Sequence, residues 1–175
     1  MSPIFFISGC PGVGKSTTAQ HLANRFEKAF RIDLDYFRQY VVKGLVQPSD
    51  APWNDEIQLQ FELAHTAAGL CARTYADAGF AVVIEHCSDP HCVDLFLKGA
   101  PDATVVCLVS DLETNLHRNL LRTNKSFDPK DIEFFVYDLN QSIASEFKKR
   151  EMNVLDNTNL DVEAAVDAIL ALAKK

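Results

Sequence analysis

Apolar residues along this chain follow two rhythms. Short unbroken runs at residues 4–7, 30–33, 80–85, 104–109 and 153–156 read as strands. The run at 80–85 is apolar up to a terminal Glu85, the pattern of a parallel strand buried on both faces. Between the runs the apolar spacing is helical. Residues 17–28 place Ala19, Leu22, Ala23 and Phe26 on one face, and residues 35–42 predict a short helix ending at Gly44. Residues 45–53, with Pro48 and Pro52, read as a loop. Asn54 is a plausible N-cap, with Asp55 and Glu56 in the first turn of a helix that carries Ile57, Phe61, Ala64, Ala68, Leu70 and Cys71 to about Asp77. Gly79 then stops it. A short helix is expected over 94–97, stopped at Gly99. Ser110 and Glu113 form a capping box ahead of Leu112, Leu116, Leu120 and Leu121. A polar break at 123–127 leads to Asp128-Pro129, which opens a helix to about Arg150 with Ile132, Phe135, Val136, Leu139, Ile143 and Phe147 inward. A last amphipathic helix spans 160–174. Strands alternating with helices imply a parallel sheet covered on both sides, with ligands at the carboxyl ends of its strands.

The first strand runs straight into Gly9-Cys10-Pro11-Gly12-Val13-Gly14-Lys15-Ser16-Thr17, and a helical pattern follows. The G-x-x-x-x-G-K-S spacing in a strand–loop–helix context is a P-loop. Its glycines let successive backbone N–H groups turn inward on an anion, and the helix adds its positive dipole end. Lys15 reaches the β- and γ-phosphates of a nucleotide, and the Ser16 hydroxyl is a Mg²⁺ ligand. The expected fold is therefore α/β, a P-loop NTPase three-layer α/β/α sandwich with about five parallel strands and a helical lid. A single domain is expected over residues 1–175, with the lid at roughly 118–130.

Composition narrows the partners. The 175 residues carry a net charge of −7, with a pI near 5.1, which opposes broad nucleic-acid binding. Five scattered cysteines, at 10, 71, 87, 92 and 107, form no C-x-x-C pair and read as thiols in a reducing compartment. The first apolar run lacks a basic lead and is too short for a signal peptide, and no run is long enough to span a bilayer. A cytoplasmic protein without membrane contact is expected.

Several residues besides the loop carry candidate chemistry. Asp33 and Asp35 end the second strand beside the crevice, and Arg38 lies three residues on. A kinase needs a carboxylate to take the proton of the attacking hydroxyl and a cation for the acceptor. Asp35 with Arg38 supplies both, although an N-cap aspartate followed by an exposed arginine is the plainer alternative, and Asp33 remains a rival base. Glu85 reads either as a contact to Mg²⁺-bound water or substrate, or as a solvated strand end. His86, Cys87, Asp89 and His91 are metal-ligand types, but no second cluster matches them. Arg118 and Arg122 are one helical turn apart before the polar break, as in a lid whose arginine closes over ATP. Arg122 is the better catalytic candidate, Arg118 the better supporting one, and Lys125 a possible helper. Asn157, after the last strand, could line an adenine pocket or belong to a simple turn. The phenylalanines at 61, 134, 135 and 147 fit a core better than a base-stacking platform.

The ordered set of the P-loop, Asp35-x-x-Arg38, and Arg118-Asn119-x-x-Arg122 before a Pro-containing helix start resembles the small P-loop kinases. The nearest pattern is the polynucleotide 5′-hydroxyl kinase domain. The wider group includes chloramphenicol phosphotransferase-like, gluconate kinase-like and zeta toxin-like proteins. The resemblance implies that Lys15 and Ser16 bind phosphates and Mg²⁺, Asp35 acts as general base, Arg38 holds the acceptor and Arg122 contacts ATP. ATP and Mg²⁺ are the implied cofactors. The implied partner is a small-molecule or nucleotide hydroxyl acceptor, with a nucleic-acid acceptor disfavoured by the net charge and the protein a monomer or homodimer. A non-catalytic ATP-binding regulator or simple ATPase is the alternative. A GTPase-type switch is disfavoured, since the guanine-reading motif and an Asp-x-x-Gly after the third strand are both missing.

Overall fold

The computed structural model describes residues 1–48, 52–121 and 133–173. The elements in chain order are β1 (Ile4–Gly9), α1 (Lys15–Ala23), β2 (Ala29–Asp33), α2 (Leu34–Arg38), α3 (Asp55–Asp77), β3 (Ala81–Glu85), α4 (Pro90–Leu97), β4 (Thr104–Val109), α5 (Leu112–Leu120), α6 (Glu133–Lys149), β5 (Asn153–Asp156) and α7 (Val162–Leu172). The five strands form one sheet in the order β2-β3-β1-β4-β5, and every pairing is parallel.

Alternation along the central strand separates two cores. Ile4 and Phe6 face one side, where Ala64, Ala68, Ala72 and Ala76 of α3, Phe96 of α4, and Ile143 and Phe147 of α6 pack. Phe5 and Ile7 face the other, against Ala19 and Leu22 of α1 and Val166 and Ile169 of α7. The small residues of α3 let it lie close to the sheet and to α4. A Cβ on Gly69 would stand 2.2 Å from the Phe96 carbonyl oxygen, so the two helices touch through backbone there.

The order of the strands places the ligand site. From β1 the chain moves outward to β2, returns to β3, and then crosses β1 to reach β4. Connections leaving β1 and β3 therefore diverge, and a crevice opens beyond the carboxyl ends of these neighbours.

Several expected boundaries move, each for a local reason. α1 runs over Lys15–Ala23 instead of 17–28, with Asn24 as its C-cap. α2 stops at Arg38 rather than 42, because Val41 and Val42 are exposed and β-branched and bury nothing that would hold a further turn. α4 starts at Pro90, four residues earlier than expected: Asp89 caps it through Cys92 N at 2.8 Å, and Pro90 sits where no N–H is lost. The cap of α5 is Asp111, which accepts from Thr114 N at 2.7 Å, and not Ser110. The buried face of α5 is Asn115 and Asn119, whereas Leu120 and Leu121 are exposed. Leu70 is likewise exposed on α3. α7 begins at Val162, after the cap Asp161, and ends at Leu172. The expected polar break at 123–127 and the Asp128-Pro129 helix start lie outside the described residues. No described helix is long and apolar enough to cross a membrane.

Candidate active site

The loop between β1 and α1 takes the conformation that its glycines permit. Gly9, Gly12 and Gly14 have φ of 143°, 86° and 99°. A Cβ on Gly12 would meet both the backbone and side-chain oxygens of Asn115 at 2.7 Å. Gly14 is the left-handed N-cap of α1 and offers no side-chain cap, so the first amides of the helix point into the crevice. Cys10 and Val13 are buried beneath the loop, and the Asn115 amide donates to Cys10 Sγ (2.6 Å) and to Asn140 Oδ1 (3.0 Å). Burial pushes the Cys10 thiol up, partly offset by Lys15 and Asn115. Pro11 and Gly12 are half-buried and complete the turn. Lys15 Nζ donates back to the Cys10 carbonyl at 3.0 Å, which puts its charge at the mouth of the nest.

A cavity of about 560 Å³ extends from this loop. Gly12 to Thr18 form its floor, Arg118 and Asn157 one wall, and Leu121, Leu160, Val162 and Ala165 an apolar end. Asn157 ties the parts together. Its amide donates to the Val13 carbonyl at 2.8 Å, and its Oδ1 accepts from Arg118 at 3.1 Å. Arg118 also donates to the carbonyls of Asn157 and Thr158, so it braces the turn after β5. Arg122 and Lys125 lie outside the described residues. Inward amides, a cation at the mouth and an apolar far end fit the phosphates and base of a nucleotide. The Ser16 hydroxyl, at the start of α1, fits a Mg²⁺ held against those phosphates.

Beside the loop stands a buried carboxylate. Glu85, at the end of β3, is 3% exposed and is no solvated strand end. It accepts from Ser16 Oγ at 2.9 Å and from Arg31 Nη2 at 2.5 Å. Asp33 is the register partner of Glu85 across the β2–β3 pair, which brings the end of β2 to the same place.

The two aspartates after β2 have different positions. Asp33 caps α2 by accepting from Asp35 N at 3.1 Å. Asp35 is half-exposed, and its Oδ1 lies 3.3 Å from His86 Nε2. Desolvation pushes the Cys87 thiol up to about 11, with Lys15 lowering it and Asp35 adding to the rise. Arg38 is buried, with its guanidinium 3.8 Å from the centre of the Phe61 ring and Nη2 donating to the Val46 carbonyl at 2.9 Å. Its Nε has no partner among the described residues. Burial lowers the guanidinium from its usual value, and Asp35 opposes that shift. Trp53 also stacks on Phe61, with ring centroids 5.3 Å apart. Phe61 thus belongs to a small core with Ile57 and Cys92 and carries the Arg38 guanidinium on its ring.

Other candidates have separate employment: Asp89 caps α4 and His91 pairs with Glu62 at 3.1 Å. Sequence reasoning missed His65, Ser88 and Arg31. His65 is fully buried on α3, four residues after Phe61, with Nδ1 2.7 Å from the Phe61 carbonyl and Nε2 2.7 Å from Ser88 Oγ. Ser88 Oγ is in turn 2.8 Å from His86 Nδ1. Desolvation, with help from His86, drives the His65 imidazole down to about 3, so it is neutral. A histidine on the buried stripe of an otherwise alanine-rich helix was the available signal.

Comparison with known proteins agrees with this architecture. A sugar kinase from Janibacter sp., in an unliganded structure, is similar at a TM-score of 0.71 and 19% identity, covering 99% of this chain and 95% of that one. A gluconokinase from Sinorhizobium meliloti 1021 gives 0.66 and 16%, over 99% and 91%. The tunicamycin resistance protein of Deinococcus radiodurans gives 0.64 and 19%, over 98% and 95%. At these identities the likeness is one of fold. No curated protein matches the sequence. The model of the AAA domain family (AAA_18) matches residues 5–136, from the first strand through the P-loop and crevice into α6, and this chain belongs to that family of P-loop, kinase-like domains.

Proposed function

We propose that this protein is an ATP-dependent phosphotransferase that moves the γ-phosphoryl group of Mg·ATP to a hydroxyl of a small molecule or nucleotide. One observation supports the reading: the half-exposed carboxylate of Asp35 lies 3.3 Å from His86, whose neighbour Glu85 holds the Ser16 hydroxyl of the P-loop. A binding module needs the nest, but it has no use for a proton acceptor opposite it.

In this scheme the amides of residues 12–17 and Lys15 hold the phosphates, Ser16 holds Mg²⁺, and Asn157 and the apolar end of the cavity receive the base. Mg²⁺ supplies charge neutralisation on the phosphate oxygens. Glu85 fixes the Ser16 hydroxyl. Asp35 orients the acceptor hydroxyl and takes its proton. Arg38 holds the acceptor through the face that its Phe61 stack leaves over, and Arg122 closes over the γ-phosphate. Residues 1–175 act as one unit, as monomer or homodimer. The five unpaired thiols suit the reducing cytoplasm. An oligonucleotide 5′ end is the least favoured acceptor, because a net charge of −7 repels a phosphate backbone.

The test is incubation with γ-labelled ATP and panels of sugars, nucleosides, antibiotics and oligonucleotide 5′ ends, scoring label transfer. Lys15→Ala should abolish turnover. Asp35→Asn should keep Mg·ATP binding by calorimetry and lose transfer. ATP binding without any labelled product would make the protein a nucleotide-dependent regulator, and full turnover in Asp35→Asn would remove that residue from the mechanism.

A further inference from the structure

Asp35 does not stand alone. Behind it an unbroken polar chain crosses from α2 to α3: Asp35 Oδ1, His86 Nε2 and Nδ1, Ser88 Oγ, His65 Nε2 and Nδ1, and the Phe61 carbonyl, with successive gaps of 3.3, 2.8, 2.7 and 2.7 Å. The far end of the chain decides where every hydrogen sits. A carbonyl only accepts, so His65 Nδ1 carries its hydrogen. His65 is neutral, so its Nε2 is bare and accepts from the Ser88 hydroxyl. Ser88 has then used its one hydrogen, and its oxygen accepts from His86 Nδ1–H. What remains is His86 Nε2, facing a carboxylate oxygen. A bare nitrogen there opposes one acceptor with another. A hydrogen there makes a charged hydrogen bond.

We propose that the proton acceptor of this site is the Asp35–His86 pair, with Ser88, His65 and the Phe61 carbonyl forming a fixed rail that leaves His86 Nε2 as the place where the acceptor's proton is finally held. The proposal rests on Asp35 as the group that meets the acceptor hydroxyl. The competent pair is ionised Asp35 beside neutral His86. As the acceptor oxygen forms its bond to phosphorus and the bond from phosphorus to the leaving ADP oxygen breaks, the acceptor O–H bond breaks and its proton passes to the Asp35 carboxylate. It ends on His86 Nε2, giving imidazolium beside carboxylate. The pair has gained one proton, which leaves to water after product release.

The surroundings suit such a carrier. The rail is anchored apart from the reacting groups: Ser8 Oγ donates to the Ser88 carbonyl at 2.7 Å and accepts from Ser88 N at 3.2 Å. His86 itself is 5% exposed. Among the described residues the charged and titratable groups near it include Asp35 and Arg38 on α2, Asp33 at the end of β2, neutral His65 on α3, the Cys87 thiol next in sequence, and Glu85 on β3, which Arg31 and Ser16 already engage. Asp35 is thus the carboxylate placed to share a proton with His86. His86 acts through Asp35 and is a positioning residue, not one that touches the acceptor.

The experiment is the pH profile of kcat/KM for the wild type, His86→Gln and Ser88→Ala, with ¹⁵N imidazole spectra of the wild type from pH 5 to 8. Glutamine still donates to Asp35 but carries no proton. Ser88→Ala leaves both histidines in place yet releases His86 to carry its hydrogen on Nε2 while neutral. Both variants should move the acid limb down by at least one pH unit, toward an ordinary carboxylate, and lower the plateau at least tenfold. The spectra should show His65 neutral with its hydrogen on Nδ1 throughout. Acid limbs that coincide with the wild type in both variants, or His65 with its hydrogen on Nε2, overturn the proposal. Asp35→Asn separates the two claims: if it keeps turnover, Asp35 is not the base at all. If it abolishes transfer while the limbs stay put, Asp35 acts without His86.

Discussion

The Arg31–Glu85 pair offers a sharp test of how the crevice is held together. Glu85 is 3% exposed and Arg31 28%, and they meet at 2.5 Å under the P-loop. Replacing Arg31 by Met keeps most of its volume and leaves the carboxylate with the Ser16 hydroxyl as its remaining side-chain donor among the described residues. Losing one partner of a buried ion pair costs roughly 3–5 kcal/mol. Arg31 keeps some contact with water, so about 2–4 kcal/mol is the better figure. In a domain of this size each kcal/mol lowers Tm by about 2–4 °C, which gives a fall of roughly 4–16 °C. Urea unfolding at pH 7, followed by circular dichroism with an unchanged m-value, measures it. A control identifies the cause. The double variant Arg31→Met with Glu85→Gln should be more stable than Arg31→Met alone, because no charge is left buried. An Arg31→Met protein within about 0.5 kcal/mol of wild type, or a double variant no more stable than Arg31→Met, would refute the reasoning.

Three further outcomes follow from single contacts. His65 is neutral when folded, at about 3, against 6.5 when unfolded; between those values the unfolded chain binds the proton, so stability falls as pH drops. From pH 7 to 5 this amounts to about 2 kcal/mol, which His65→Gln should not lose; equal acid losses in both proteins by chemical denaturation would exclude His65 as the source. Gly12→Ala forces a Cβ to 2.7 Å from the Asn115 carbonyl oxygen at a φ of 86°, and strain of about 1–3 kcal/mol should weaken Mg·ATP binding roughly 5- to 150-fold by calorimetry; an unchanged Kd would mean that the loop relaxes at no cost. Gly69→Ala pushes a Cβ against the Phe96 carbonyl at 2.2 Å, and separating α3 from α4 should lower stability by about 3 kcal/mol, a change that thermal melts would show or deny.

Much of the fold was legible because burial repeats. The strands at 104–109 and 153–156 coincide with β4 and β5, and α3 has the expected Asn54 cap, which accepts from Ile57 N at 3.0 Å, and its Gly79 stop. Where the reading slipped, a local side chain overrode the pattern. Ser110 and Asp111 both have capping chemistry, and the aspartate won the N-terminus of α5 while the Ser110 hydroxyl is buried without a partner among the described residues. Four leucines suggested an apolar face on α5, yet its buried face is two asparagines, because this helix packs on the polar underside of the P-loop through Cys10 and Asn140. Periodicity reports which side of a helix is buried only when that side meets an apolar surface.

The site divides along the same line. Residues that act through their own backbone, the P-loop above all, are readable because their spacing is their geometry. The pairings that surround it are not: Arg31 with Glu85 spans 54 residues of sequence and Asp35 with His86 spans 51. A parallel sheet was expected, but its strand order was open, and the order makes both contacts. With β2 beside β3, in a register that sets Asp33 against Glu85, the next residues of each strand must meet, so Asp35 reaches His86 while Arg31 reaches back to Glu85. Had β2 paired with β1 instead, the same residues would carry the same chemistry in separate places. Both contacts therefore depend on the chain skipping one strand position between β1 and β2 and leaving the gap that β3 fills.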